Sequence, residues 1–285
     1  MFNIKKKEKR KNSIKTKQEI TMVHKYKGTF TVIDGLDGIG KGTVQQAIID
    51  NLANQGLRIF DMHQFWDKHH QHPEFEHKFV KGIKNPLYID LNSFDVLVSS
   101  EPTKVGVGKT IREEFIADNG RKYSAHMTAR MYAADRMTLY KRVILPALRS
   151  RKHVIQSRSV STSIVYQPMQ ELLPHEPELT IREVIKIEGN DFALHHSPNL
   201  LIIPTIKNVE DVMARLNSRE KEDNCEFETI NFQAKIKPLY ESKIIRRIFG
   251  SRKTKVRYLD AGISVKSSKK QAVRIFEDTF PHLFE

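Results

Sequence analysis

Apolar residues along the chain fall into short β-type runs separated by longer stretches with helical spacing. The short runs are rich in β-branched residues and are bounded by polar or glycine-containing segments, so each predicts a buried strand. They cover residues 29–34, 57–60, 94–99, 153–157, 199–203 and 256–260. Helices are predicted over 41–52, 109–117, 125–149, 159–167, 180–196, 209–217, 226–248 and 269–278. Strands that alternate with helices indicate a parallel sheet covered on both faces.

Proline and glycine set the expected limits of several elements. Pro204 is expected to stop the strand at 199–203. Pro146 lies near the end of the helix at 125–149, where a ring without an N–H would kink it. Gly189 weakens the middle of the helix at 180–196, because glycine is a poor helix former.

The stretch 29–43 joins a predicted strand, a glycine-rich turn and a helix, in that order. Gly35 and Gly40-Lys41 match the spacing of a phosphate-binding loop, in which backbone N–H groups and a helix N-terminus hold a nucleotide's phosphates. Lys41 would place its ammonium on the β- and γ-phosphates. The residues expected to bind ATP in this loop are Gly35, Gly38, Ile39, Gly40, Lys41, Gly42 and Thr43.

One position departs from the loop pattern. The pattern has Ser or Thr directly after the lysine, where the hydroxyl reaches magnesium, but Gly42 stands there and Thr43 is the next hydroxyl. The alternative interpretation of this stretch is an ordinary glycine turn. The predicted fold class is α/β, a P-loop NTPase with a central parallel sheet of about five strands, helices on both faces and a mobile lid.

The formal net charge of +14 is unevenly distributed over the 285 residues. Residues 1–27 contain ten Lys or Arg and two Glu, a net +8, without apolar periodicity, so we expect a disordered basic tail. Met22 lies just before the first strand and could be the true start. The remaining +6 suits an enzyme that handles polyanionic nucleotides, so nucleic-acid binding is expected at most through the tail.

Cysteine usage and hydropathy restrict the cellular setting. The single cysteine, Cys225, excludes an intramolecular disulfide and fits a reducing cytoplasmic compartment. No uninterrupted apolar run approaches the length of a membrane span. We therefore expect a cytoplasmic protein without membrane contact, with one domain over 28–285.

Residues 61–92 are rich in His, Asp, Lys and aromatic side chains and are expected to form an irregular insertion. The side chains that invite a metal hypothesis are His63, His69, His70, His72 and His77, with Asp61 and Asp67 as candidate oxygen ligands. Their spacing fits no standard zinc pattern. A solvated or substrate-covering loop is therefore the favoured interpretation.

Several ordered motifs resemble the thymidylate kinase family. The first set is Tyr132-Ala-Ala-Asp-Arg136, Val143-Ile-Leu-Pro-Ala-Leu148 and the segment from Val154 to Gln167. Glu101-Pro102, Gly108 and Ile111-Arg112 are similar to the family's Arg-Glu-Pro-Gly-Gly loop and following helix. Arg215, Arg219, Asp223, Glu226, Phe232 and Tyr240 are similar to its lid and post-lid helix. The resemblance extends from about residue 29 to the end of the chain.

The resemblance implies a homodimeric nucleoside monophosphate kinase that converts dTMP and ATP to dTDP and ADP with Mg²⁺. The residues it implies for catalysis are Lys41, Arg158, Asp37 and Arg219, with Arg215 as a second lid arginine on the ATP side. Those it implies for the acceptor nucleotide are Glu101, Lys104, Tyr132, Arg136, Arg158, Ser163, Tyr166 and Gln167. Tyr132 would stack on the base and Arg136 would contact its carbonyl edge. Several of these residues also have a simpler interpretation. Tyr132 could be a core residue, Arg136 could pair with Asp135 or another surface acid, and Arg215 and Arg219 could belong to a solvated helix face.

Two motif departures leave other functions open. The family's Asp-Arg-Tyr reads Ser157-Arg158-Ser159 here, and its Arg-Glu-Pro reads Ser100-Glu101-Pro102. Magnesium then has few protein contacts, with Thr43 as a weak candidate beside phosphates and water. One alternative is a deoxynucleoside kinase, in which Glu101 would be the base that activates a 5′-hydroxyl. The other is a non-catalytic nucleotide-binding protein.

Overall fold

The computed structural model describes residues 26–75, 86–117, 119–217 and 229–284. Within these residues, six parallel strands form one sheet in the order β2-β3-β4-β1-β5-β6. They are β1 (Phe30–Ile33), β2 (Ile59–Asp61), β3 (Val96–Ser100), β4 (His153–Ser157), β5 (Leu200–Thr205) and β6 (Lys255–Asp260). The predicted α/β class is confirmed, and the short edge strand β2 brings the sheet to six strands instead of about five.

Helices fill the connections between the strands. They are α1 (Lys41–Asn54), α2 (Met62–His69), α3 (Val107–Thr110), α4 (Ala125–Leu139), α5 (Leu145–Arg149), α6 (Val160–Tyr166), α7 (Ile181–Lys186), α8 (Glu188–His195), α9 (Glu210–Asn217), α10 (Ile230–Tyr240), α11 (Lys243–Gly250) and α12 (Val265–Thr279). Two π-helical turns, Ile111–Phe115 and Tyr140–Ile144, continue α3 and α4. None of the helices in this part of the chain combines the length and hydropathy that a membrane crossing needs.

The centre of the sheet is buried on both faces. All four residues of β1 are buried, although successive side chains in a strand point to opposite faces. Helix α1 packs against α12, and α4 packs against α8. The close α4–α8 contact depends on Gly189, because a Cβ there would lie 1.9 Å from the carbonyl oxygen of Ala133.

Helix α2 lies in the stretch 61–92 that was expected to be irregular, and that expectation is wrong for residues 62–69. The Asp61 side chain accepts a hydrogen bond from the backbone N–H of His63 and so caps the helix. Met62, Phe65 and Trp66 lie on one face and are buried. The helix is held by these three residues, which are too few to give a clear periodic signal among many polar neighbours.

Other boundaries differ for local reasons. The predicted helix at 180–196 divides at Ile187 into α7 and α8, and the one at 226–248 divides where Ser242 caps α11. Pro204 lies inside β5 instead of ending it. The Ile202 carbonyl accepts a hydrogen bond from the Asp34 backbone N–H, so the backbone N–H and C=O positions of residues 202 and 204 both point toward β1. At the level of Pro204, β1 has already ended. The missing N–H of Pro204 therefore costs no ladder hydrogen bond.

Candidate active site

The glycine loop connects β1 to α1 at the carboxyl edge of the sheet. Gly38 and Gly40 have positive φ angles of 77° and 96°, which glycine adopts without strain. A Cβ at Gly38 would lie 2.6 Å from Leu216 Cγ in α9, so this glycine also permits close packing. At Gly40 or Gly42 a Cβ would meet no heavy atom within 4 Å. The open space beside the start of α1 is where a phosphate can approach the backbone N–H groups.

Lys41 begins α1 and turns its ammonium back over the loop. Its Nζ donates to the carbonyl oxygens of Leu36 at 2.7 Å and Gly35 at 3.1 Å. It also lies 3.3 Å from Asp37 Oδ1. The positive charge is thus held at the loop that the sequence predicts to bind phosphates.

Arg158 lies at the same edge, directly after β4. Its backbone N–H donates to the Ile33 carbonyl at 2.9 Å, which places it beside the end of β1. Its guanidinium pairs with Asp37 Oδ1 and lies 5.5 Å from the centre of the Tyr166 ring. The structure therefore brings together Lys41 and Arg158, which are distant in sequence, on one carboxylate.

Asp37 is buried and makes contacts on both carboxylate oxygens. Besides the two cations, it accepts from the Tyr166 hydroxyl at 2.9 Å and from Gln233 Nε2 at 3.4 Å. The backbone N–H of Asp37 donates to Gln233 Oε1 at 3.0 Å. Gln233 belongs to α10, so this helix is tied directly to the glycine loop. No sequence motif marks Gln233, and this functional neighbour was missed.

A second buried acid, Asp34, fixes the start of the loop. It accepts from the backbone N–H of Gly35 at 2.8 Å, from the Thr162 hydroxyl at 2.8 Å and from the Tyr240 hydroxyl at 2.9 Å. These three donors come from the loop, α6 and α10. The same helices that contact Asp37 are therefore also bonded at the strand end.

Arg136 and Glu101 form a buried ion pair below the site. Their side chains are 1% and 2% exposed, and Arg136 Nε donates to Glu101 Oε2 at 2.8 Å. The guanidinium also bonds Asn190, Ser163 Oγ at 3.0 Å and the Ser159 carbonyl at 3.1 Å. The Arg136 guanidinium thus has four protein partners. Its contact with a nucleotide base stays a prediction.

Burial raises the pKa of Glu101 to about 7, and the Arg136 charge opposes that rise. The other oxygen, Glu101 Oε1, accepts from Gln156 Nε2 at 3.0 Å. Both carboxylate oxygens of Glu101 therefore have protein donors, and its side chain is buried away from any substrate. The base role that a deoxynucleoside kinase would require of Glu101 is therefore disfavoured.

The residues predicted to contact the acceptor base lie on α4, α6 and the turn after α6. Tyr132 is buried in a small apolar cluster with Ile111 and Phe115. Ser163 is buried against Arg136. Gln167 is 2% exposed, and its Oε1 has no hydrogen-bond partner in the described part of the chain. An unsatisfied buried acceptor is costly unless a ligand donates to it.

The other predicted residues are placed at the edges of the site. Lys104 Nζ pairs with Asp67 of α2 at 2.7 Å. Arg215 donates to the Ala261 carbonyl at 3.0 Å, which holds α9 to the loop after β6. Thr43 is in the first turn of α1, next to the open space at Gly42. Arg219 lies outside the described residues.

The two motif departures are neighbours in space. Ser100 of β3 and Ser157 of β4 are paired in register, at the level where Ile33 ends β1. The family's Arg and Asp at these positions would lie side by side, so their joint replacement by serine leaves the local net charge unchanged. Ser100 Oγ is bonded to His63 Nε2 at 2.8 Å, a contact that sequence spacing did not reveal.

The parallel sheet, the glycine loop after β1 and the lysine at the start of α1 define a P-loop NTPase fold. The sequence model of the family described as "Thymidylate kinase" matches residues 85–270, more than half of the chain. The chain belongs to the thymidylate kinase family.

Individual relatives agree with this assignment. The "Probable thymidylate kinase" of Methanococcus maripaludis is 35% identical over 144 residues, which cover 50% of this chain and 62% of that protein. The thymidylate kinase of Lactobacillus delbrueckii subsp. bulgaricus is 24% identical over 260 residues, or 90% of this chain and 99% of that one. The solved thymidylate kinase of Candida albicans has a TM-score of 0.55 at 18% identity, covering 90% and 93% of the two chains. The matches span only 52% and 62% of the first curated relatives' lengths.

Proposed function

We propose that the protein transfers the γ-phosphoryl group of ATP to a pyrimidine deoxynucleoside monophosphate, dTMP giving dTDP, and so supplies dTTP synthesis. The observation that carries the proposal is the convergence of Lys41 and Arg158 on Asp37 at the glycine loop. A phosphoryl transfer between two nucleotides must neutralise two anions that meet end to end. Two cations held at one place, one from the start of α1 and one from the end of β4, suit that requirement.

The reaction needs positioning and electrostatics rather than a strong base. Lys41 and the N–H groups at the start of α1 would hold the donor phosphates. Arg158 would hold the acceptor phosphate on the β4 side. Asp37 keeps both side chains aimed at the junction between them, and it is itself fixed by Tyr166 and Gln233.

The proposed preference for a pyrimidine rests on Gln167, which directly follows α6. Gln167 presents a buried carbonyl oxygen with no partner among the described residues, and the N3–H of thymine is a donor that would satisfy it. Tyr132 and Ser163 lie on the neighbouring elements. These contacts are proposed for the bound nucleotide.

Magnesium suits this site only as an ion held largely by the substrates. In the described part of the chain, no group of three or more His, Cys, Asp or Glu side chains could hold a metal. Mg²⁺ commonly keeps several waters and binds through nucleotide phosphates with one or two protein ligands. Thr43 would supply a hydroxyl, and the ion would neutralise phosphate charge during transfer.

The test is a panel of nucleoside monophosphates assayed with ATP and Mg²⁺, with ADP release and product identity as readouts. Turnover should be fastest with dTMP and absent with thymidine, which lacks the acceptor phosphate. Turnover of thymidine alone would instead establish a nucleoside kinase. ATP binding without turnover of any monophosphate would leave a non-catalytic nucleotide-binding protein.

Family membership also supports a homodimer that works in the cytoplasm, and we include both in the proposal. Sedimentation velocity tests the dimer. Removing residues 1–22 tests the tail, which should leave the kinetics of dTMP turnover unchanged.

A further inference from the structure

A hydrogen-bonded chain of three side chains lies beside the proposed acceptor site and takes no part in the function described so far. His63 Nε2 is 2.8 Å from Ser100 Oγ, and His63 Nδ1 is 2.8 Å from Asp61 Oδ1. His63 is on α2, Ser100 ends β3 and Asp61 ends β2. The His63 side chain is 27% exposed, so it is oriented by protein contacts but still accessible.

The register of the sheet places this chain next to Arg158. Ser100 is directly opposite Ser157, the residue before Arg158. Neighbouring strands are about 4.8 Å apart, so Ser100, the residue that His63 contacts, lies about one strand spacing from Ser157, which precedes Arg158. Helix α2 is tied to the loop after β3 by the Asp67–Lys104 pair at 2.7 Å, which fixes the position of His63.

We propose that His63 is a phosphate-contacting residue of the acceptor site, oriented by Asp61 and shared between Ser100 and the nucleotide's phosphate. This rests on the proposed function, because it assumes that Arg158 marks the acceptor phosphate. Helix α2 then supplies, from the inserted segment, a phosphate-binding side chain at the end of β3, beside Ser100. The insertion has a chemical role in substrate binding.

The Asp61 carboxylate orients the His63 ring. Burial works to raise the pKa of the Asp61 carboxyl, but hydrogen bonds from His63 outweigh it and the pKa is lowered. The ionised Asp61 therefore holds the ring through Nδ1 and leaves Nε2 beside Ser100. The other groups near His63 are the Trp66 ring, at 5.6 Å between centroids, and Lys104, whose charge also acts on Asp61.

Binding of dTMP and thymidine, measured by calorimetry without ATP, tests the contact directly. His63→Gln should weaken dTMP binding about tenfold, the size expected for one charge-assisted hydrogen bond, and leave thymidine binding unchanged. The matched control is His69→Gln on the same helix, where His69 stacks on Phe65 and both affinities should stay at the wild-type value. Equal dTMP affinity in wild type and His63→Gln overturns the inference.

A rescue variant separates a phosphate contact from a structural anchor. His63→Ala should weaken dTMP binding, and His63→Ala combined with Ser100→Arg should restore it, because a guanidinium then supplies the missing hydrogen-bond donor. If His63 only anchors α2 to β3, the double variant stays as weak as the single one and both lose thermal stability. If wild type binds dTMP but transfers no phosphoryl group, the proposed function fails while this binding contact stands.

Discussion

The Arg136–Glu101 pair gives the most quantitative prediction about the molecule. Arg136→Met removes a guanidinium that is 1% exposed and leaves Glu101 with only the Gln156 donor. Breaking a buried pair from one side typically costs about 3–5 kcal/mol, because an uncompensated charge stays in the interior. We expect a loss of about 4 kcal/mol in the free energy of unfolding at pH 8.

The double variant Arg136→Met/Glu101→Gln removes both charges and should be more stable than Arg136→Met alone. A coupling energy of about 2 kcal/mol or more between the two positions is expected, in the range found for residues of one buried network. Urea unfolding followed by circular dichroism, with Glu101→Gln as the fourth corner of the cycle, measures it. Additive losses would show that the two groups are stabilised by other neighbours instead of each other.

The same cycle has a pH signature. The folded pKa of Glu101 lies above its unfolded value, at about 7, so the folded state binds an extra proton between roughly pH 4.5 and 7. This contribution to stability is fully present below pH 4.5 and is lost as the pH rises through the folded pKa. Without Arg136 the pKa rises further, so Arg136→Met should be less destabilised at pH 5 than at pH 8. A destabilisation that does not change with pH would refute the assigned ionisation.

Three further predictions concern the glycine loop. Lys41→Ala and Arg158→Ala should each lose on the order of 3 kcal/mol of transition-state stabilisation, seen as a roughly hundredfold or larger drop in kcat/KM for dTMP. Rates near the wild-type value would show that the active site lies elsewhere. Gly38→Ala should destabilise the protein by about 2 kcal/mol in urea unfolding, because its Cβ would press on α9 at a positive φ; an unchanged midpoint would contradict the packing. Gln233→Leu should cost about 1–3 kcal/mol by leaving the Asp37 N–H without its acceptor, and it should raise the KM for ATP. An unchanged stability and KM would contradict the link between α10 and the loop.

Local sequence information was sufficient for the fold and for the position of the glycine loop. The strand at 153–157 has the predicted bounds, because a short apolar run between polar segments is enough to indicate a buried strand. The loop at 35–43 was found from spacing alone. Both features depend on residues that are adjacent in the chain.

Contacts between distant residues were not predictable in the same way. Gln233 meets Asp37 across 196 positions, and no spacing rule links them. The sequence placed His63 only among candidate metal ligands. Its contact with Ser100 could not be predicted, because the pairing of β2 with β3 is what brings the two residues together. The family resemblance pointed to Arg136 as a base contact, but its pairing with Glu101 depends on how α4 crosses β3.

The position of Asp37 has a consequence for how the protein treats small anions. Before any nucleotide arrives, one carboxylate already serves as counterion to both Lys41 and Arg158. Free orthophosphate or sulfate competes with that carboxylate for the two cations, so we expect it to gain less than it would beside unpaired charges. A ligand with several phosphates and a base makes enough additional contacts to win the competition, so the resting protein discriminates against abundant inorganic ions.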